Sequence, residues 1–545
     1  MRLPALRPQR PEIVALVLSL LFVVLFNLPL WQRVLGIVSP LSGHSVWMLG
    51  LTFVLLAAFF NLALLLLAWP WIFKPVVTVL LLTSAAATYF MQQYGVLIDM
   101  NMVQNVFQTD PAEVRDLITV RMLASIVLLG VLPALWLWKT PIHYRQAWRE
   151  FLVRMVALLV ASMMLAGVAL AGYQEFASLF RNHRDLRYLL TPNNYLQATS
   201  SYLRQHTATP DVIQPFATDA RKMSFATLPH KKRVLVLVVG ETARADRFSL
   251  NGYARNTNPE LSKVPGLINF SDVSSCGTET AVSLPCMLSG MTRADYDAKV
   301  AKKRENLLDI VQRSGYGVLW RNNNSGCKGT CLRMPIEDMA HLETPGLCNK
   351  EECGDEILLQ GLPEKLAAAK GDMLIVLHQK GSHGPAYYKR YPEKFEAFKP
   401  VCRTSELQKC SAQEIGNAFD NTILYTDHFL ARTIALLQQQ KDVDSAMVYL
   451  SDHGESLGEN NLYLHGTPYF MAPESQYKVP MLMWFSDGYQ KRNAVNTQCL
   501  SAKKTRAYSH DNLFHSVLGL LDITTSEYRQ PLDVFADCRQ PHPKG

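Results

Sequence analysis

A chain of 545 residues is longer than one domain and allows two to four. Its composition, 49% hydrophobic and 18% charged with a net charge of +8 and no clustered basic stripe, makes no case for nucleic-acid binding. There is no internal repeat and no low-complexity tract, and the average hides a sharp change of composition near residue 174.

Before that point stand five uncharged runs, 13–31, 45–73, 75–98, 122–138 and 155–173, with 19, 29, 24, 17 and 19 residues. A membrane span needs about 20 apolar residues, so the runs predict a five-helix transmembrane domain over 1–173. The first run is too long for a signal-peptide core and no small-residue cleavage site follows it, so it is expected to stay as an anchor. A cytoplasmic N-terminus places Arg2, Arg7, Arg10, Lys74, Lys139, Arg145, Arg149 and Arg154 inside and only Arg33, Arg115 and Arg121 outside. Five crossings then carry everything after residue 173 out of the cytoplasm. The outer segment 99–121 holds Asp99, Asp110, Glu113, Arg115 and Asp116 close to the membrane surface. Residues 174–230 read as a connector of polar helical stretches and Pro-containing extended pieces along that surface.

From 231 to 545 the pattern is that of a soluble α/β domain. Apolar runs at 234–239, 316–320, 373–378, 445–450 and 479–485 alternate with helix-length segments. Near-continuous apolar strands separated by helices predict a mostly parallel sheet buried on both faces. In such sheets sites form beyond the carboxyl ends of the strands. Glu241 follows the first strand, His383 lies in the loop after the third, and Asp452, His453 and His465 follow the fourth. Carboxylates and imidazoles without thiolate suit Zn²⁺ or Mn²⁺ with a coordination position left open. Taken singly, each of these residues has a plainer reading as a helix-start or turn residue; their joint placement is the signal.

All ten cysteines lie between 276 and 538. An even count confined to the external part reads as disulfides. The spacings suggest Cys276 with Cys286, Cys327 with Cys331, Cys348 with Cys353, Cys402 with Cys410, and Cys499 with Cys538, although sequence alone leaves connectivity open. A zinc ribbon built from Cys327, Cys331, Cys348 and Cys353 is the rival. The stretch "SCGTETAVSLPCM" at 275–287 places Thr280 a few residues into a potential helix, inside a cysteine-closed loop. There it is either a helix-capping threonine or a nucleophile whose oxygen a metal activates.

The stretches "GETARADRFSLNGYARNTNP", "CGTETAVSLPCM", "NNNSGCKGTC", "GSHGPAYYKRYP" and "SDHGESLGENNLYLHGTPY" resemble those of the lipid A phosphoethanolamine transferases, the EptA and mobile colistin-resistance group. The likeness spans nearly the whole chain. It implies an alkaline-phosphatase-like (sulfatase-like) catalytic domain in the periplasm, anchored in the bacterial inner membrane, and a monomer. It implies a threonine, here Thr280, that takes phosphoethanolamine from phosphatidylethanolamine and passes it to a phosphate of lipid A. The implied zinc ligands are Glu241, Thr280, Asp452 and His453, with one tight Zn²⁺ and a possible second, transient one. His383 and His465 match second-site or substrate-handling histidines, Lys328 a residue that meets substrate phosphate, and Thr278 a hydroxyl of the donor pocket. Asn105 and Glu113, in "QNVFQTDPAE", match a segment that contacts donor lipid, where Glu113 suits the ethanolamine ammonium. Glu279 departs from the pattern, because the residue before the nucleophile is usually small. Its side chain is expected to point away from the phosphate, since successive side chains at a helix start diverge by about 100°. Transfer to a core sugar, or of phosphoglycerol as in lipoteichoic acid synthases, is the alternative function.

Overall fold

The structure is a computed structural model and describes residues 7–39, 42–109, 111–183, 185–206, 212–223, 231–340, 342–349 and 351–539. It forms two compact units: one comprises 1–103 and 118–204, the other 104–117 and 205–545.

The first unit is helical. Gly43–Leu67, Phe73–Tyr94, Val120–Lys139 and Ala147–Ala171 are each long and apolar enough to cross a membrane. The pair Pro11–Phe26 and Leu28–Ile37 meets the same test only when taken together, and it is bent by 60° at Asn27, as in a broken span or a re-entrant loop. The bend has local causes. Pro29 brings no backbone N–H to the second helix. The buried Asn27 amide instead donates to the carbonyls of Phe22 (2.9 Å) and Thr191 (2.8 Å) and accepts from Thr191 N–H (3.0 Å). Polar backbone freed at the break is thus satisfied inside the protein, as a membrane interior demands. Leu128, Leu159 and Met163 stay exposed, presenting apolar surface where no protein covers it.

The second unit is built on a seven-stranded sheet: β1 (Lys232–Gly240), β2 (Ile268–Phe270), β3 (Gly317–Asn322), β4 (Ile336–Asp338), β5 (Met373–His378), β6 (Val443–Ser451) and β7 (Met481–Phe485). The strands lie in the order β2-β7-β6-β1-β5-β3-β4. The five from β6 to β4 are parallel; at one edge β7 pairs antiparallel with β6, and β2 antiparallel with β7. Each apolar run expected to be a strand is one. β1 is central, and its side chains alternate between two cores: Leu235, Leu237 and Val239 enter one, Val234, Val236 and Val238 the other. Parallel pairing aligns Gly240 with Ser451 and Val239 with His378, so the residues that follow β1, β5 and β6 emerge on one rim. All five expected disulfides form, and no cysteine is free for a zinc ribbon.

Candidate active site

Glu241 is the first residue after β1 and Asp452 the first after β6. Asp452 N–H donates to Gly240 O (3.0 Å), which brings the two carboxylates side by side. Gly240 permits this approach, because a Cβ there would lie 2.6 Å from the Tyr449 ring. His453 completes a fully buried group in which one ligand atom from each residue lies within 4.8 Å of the others. His453 Nε2 is 3.2 Å from Glu241 Oε1 and 3.6 Å from Asp452 Oδ2.

Thr280 joins this group from another element. Its hydroxyl donates to Glu241 Oε2 (3.0 Å) and lies 3.3 Å from His453 Nε2. The helix Thr280–Leu288 begins at Thr280 itself, not a few residues earlier, with Glu279 as its extended N-cap. Helix N-terminal N–H groups favour an anion at this point. The Cys276–Cys286 bridge closes the loop onto the helix. The helix is also pinned to the sheet rim: the Ser283 hydroxyl donates to the Asp452 carbonyl, and His510 Nδ1 accepts from Cys276 N–H (3.2 Å).

The electrostatics follow from burial. Burial pushes Glu241 up, but the hydrogen bond from His453 and its charge outweigh it and hold Glu241 well below the usual range. Burial, then the neighbouring Glu241 charge, raises Asp452 to about 7. His453 is raised to about 10, the charges of Asp452 and Glu241 overcoming burial. Two carboxylates forced together out of water call for a cation. Asp452 Oδ2 is buried without a hydrogen-bond partner among the described residues. Two carboxylates, an imidazole and a hydroxyl therefore fit a divalent metal of the zinc type.

The other expected residues are dispersed around this centre. The His465 ring packs 4.4 Å from that of His453 and 5.6 Å from that of His383. His465 Nδ1 lies 3.4 Å from Glu455 Oε1. Lys328, in the Cys327–Cys331 loop, directs Nζ to Ser325 Oγ (3.1 Å). The Thr278 hydroxyl donates to the carbonyl of Thr467 (2.7 Å), tying its loop to the turn that carries His465. Asn105 Nδ2 donates to Glu279 Oε2 (2.5 Å), so the Glu279 carboxylate is turned toward Asn105. Glu113 lies on the helix Pro111–Leu117, and its side chain is outside the described residues. Three residues absent from the expected set also hold the centre. Asn324 Nδ2 donates to Glu241 Oε2 (2.7 Å). Glu455 is buried beside His465, and His510 bridges the Thr280 loop and Ser451 O (3.0 Å).

Residues 233–523 match the Sulfatase family model, and 56–207 match Phosphoethanolamine transferase EptA/EptB. Phosphoethanolamine transferase EptA of Escherichia coli K12 is 41% identical over 541 residues, covering 98% of both chains. The chain belongs to the EptA family of phosphoethanolamine transferases. Phosphatidylethanolamine transferase Mcr-1 of Escherichia coli is 40% identical over 90% of this chain and 91% of its own. The integral membrane lipooligosaccharide phosphoethanolamine transferase A of Neisseria meningitidis superposes with a TM-score of 0.95 at 38% identity, covering 98% of this chain and all of that one. As a member of this family, with four or five spanning helices, the chain is a multi-pass membrane enzyme with a sulfatase-type catalytic domain.

Proposed function

We propose that this chain moves phosphoethanolamine from phosphatidylethanolamine to a phosphate of lipid A through a covalent phosphoethanolamine-Thr280, at a zinc held by Glu241, Thr280, Asp452 and His453. It works as a monomer in the bacterial inner membrane with its catalytic domain in the periplasm. The observation that carries the reading is the Thr280 hydroxyl at a helix N-terminus, 3.0 Å from Glu241 and 3.3 Å from His453 in a buried cation-seeking cluster.

A bound zinc there supplies Lewis acidity, lowering the pKa of a neighbouring hydroxyl and offsetting phosphoryl charge. Thr280 Oγ1, its proton leaving toward the carboxylate and imidazole cluster, forms a bond to the donor phosphorus. The phosphorus–glycerol oxygen bond breaks, and the His383–His465 pair returns a proton to that oxygen as diacylglycerol departs. A lipid A phosphate oxygen then attacks phosphorus, the Oγ1–P bond breaks, and Thr280 regains its proton. N–H groups of the helix start and Lys328 hold the phosphoryl oxygens. The segment with Asn105 and Glu113 receives the lipid head group.

Intact-protein and lipid A mass spectra test this. Wild-type enzyme given phosphatidylethanolamine alone carries one phosphoethanolamine adduct; Thr280→Ala carries none and modifies no lipid A, while Thr280→Ser keeps part of the activity. Transfer by Thr280→Ala at the wild-type rate eliminates the covalent route. Fragment ions place the added group on a lipid A phosphate, or on a core sugar if the alternative acceptor holds.

A further inference from the structure

Just past the outer end of the span Phe73–Tyr94, the helical unit holds a cavity of about 270 Å³. Its lining comes from three short pieces of chain. Asn194, Gln197, Ala198 and Ser201 supply one face of the helix Asn193–His206, at the spacing that sets side chains in a row. Asp99, in the turn after the span, and Arg187, in the short helix Leu186–Leu189, supply opposite charges. Leu196 and Leu203, elsewhere on the helix Asn193–His206, stay exposed, as on a helix that borders lipid. The volume is that of about nine liquid waters, at about 30 Å³ each. It admits a lipid head group and leaves the acyl chains outside.

Among the described residues, neither charge forms an ion pair. Asp99 Oδ1 accepts from Met102 N–H (2.8 Å) and so caps the helix Met100–Gln108. Capping uses one of about four lone-pair sites on an ionised carboxylate. Burial raises the Asp99 pKa against the pull of nearby backbone N–H groups, with no cation to offset the lost water. The carboxylate closest to Arg187 in sequence, Asp185, is taken by Arg33 (2.7 Å). Arg187 instead lies over the Tyr188 ring, 4.5 Å from its centroid, with Nη2 donating to the Tyr188 hydroxyl (2.5 Å). The buried Asn194 holds that platform, its Nδ2 donating to Tyr188 O (2.9 Å). A guanidinium carries five N–H donors, so most of them are left for an oxyanion. Opposite charges that share a cavity without pairing are matched by one ligand that carries both.

We infer that this cavity is a lipid-binding site of the helical unit, with the ammonium of a phosphatidylethanolamine head group at Asp99 and its phosphate at Arg187. It holds a second molecule of that lipid, apart from the one whose head group the segment with Asn105 and Glu113 receives for reaction. Charge-assisted hydrogen bonds form at both ends of the head group. The phosphate of phosphatidylglycerol still suits Arg187, but its neutral glycerol leaves Asp99 without a cation.

The test is photolabelling of the full-length enzyme in detergent micelles. The probe is a phosphatidylethanolamine with a diazirine near the start of one acyl chain, and peptide mass spectrometry reads the label over 186–203. On wild type, unlabelled phosphatidylethanolamine should suppress the label at a concentration at least tenfold below that needed of phosphatidylglycerol. Equal competition by the two lipids overturns the inference, whatever the variants do. Suppression by soluble phosphoethanolamine at the same concentration as by the lipid assigns the cavity to a soluble zwitterion and also overturns it. Asp99→Asn keeps a side chain that caps a helix and removes the charge. It and Arg187→Gln should each lower the label at least fivefold, with melting temperature and zinc content unchanged. Wild-type labelling of folded Asp99→Asn leaves Asp99 a helix cap and nothing more. Labelling needs no turnover, so its outcome is separate from that of the Thr280 reading.

Discussion

Asp452 and Glu241 are each poor company for the other without a cation. Both are fully buried, and Asp452 Oδ2 has no hydrogen-bond partner among the described residues. Asp452→Asn should therefore act with opposite signs in two assays. Zinc competition titration should show affinity reduced by more than about 100-fold, beyond what outer partners of a metal site cost. Melting in chelator should show metal-free protein no less stable than wild type, because one buried like charge is gone. Retained zinc affinity would remove Asp452 from the ligand set. Glu241, Asp452 and His453 were legible because each directly follows an apolar run. Asn324, Glu455 and His510 were not. An amide or acid in a polar loop reads as a turn residue, and His510 follows only a two-residue strand. Their roles come from long-range approach, which no local pattern records.

At the scale of elements, the helix Thr280–Leu288 shows what the sequence hides. Its N-cap residue makes no capping bond and Pro285 lies inside it, so no start signal marks its first turn. The strands β2 and β4, three residues each, are too short for alternation to register; the long apolar strands needed no such help. The Cys276–Cys286 bridge closes a short loop around Thr280, with a stabilising effect of about 2–4 kcal/mol. Replacing both cysteines by serine should lower the melting temperature accordingly and reduce turnover further than the lost stability explains. Equal turnover of the folded variant would show that the bridge does not position Thr280. On the long helix Ala412–Gln439, His428 lies 2.8 Å from Glu260 and 3.4 Å from Glu356. Hydrogen bonding to Glu356, then to Glu260, raises its pKa. A raised imidazole stabilises fully below its unfolded pKa of about 6.5 and loses that contribution as pH rises through the folded value. His428→Gln should thus cost a few tenths to about 1 kcal/mol at pH 6 and nothing near pH 9, by denaturant melts; a cost independent of pH would assign it to stacking on Phe395.

For the molecule as a whole, the division at residues 104–117 is the feature composition could not show. Polar residues between two apolar runs announce an outer loop, not which unit the loop joins. Here it joins the catalytic unit at both ends: Asn105 at Glu279, and Asp116 at Lys389 Nζ (2.6 Å) and Arg390 Nη2 (3.2 Å). Arg390 Nε in turn donates to the His383 carbonyl (2.8 Å). A domain starting at residue 212 should fold, bind zinc and cleave a short-chain soluble donor, yet transfer poorly from vesicles. The cause is that extracting a diacyl lipid costs about 0.8 kcal/mol for each CH₂ withdrawn. Vesicle rates equal to those of the full chain would reduce the helical unit to an anchor.

The same segment sets an order of assembly. Residues 104–117 are synthesised long before β1, and the membrane-length helices Val120–Lys139 and Ala147–Ala171, with their connections, lie between them and the sheet domain they join. When the sheet domain is exported, the segment that brings Asn105 and Asp116 to it has therefore already been delivered, and joining the two is a distinct step of assembly. Covalent attachment holds that segment at high effective concentration, so this step needs no encounter between separate molecules. Two polypeptides cut between the units would have to find each other at that step, and their recovered activity should rise with concentration where that of the intact chain does not.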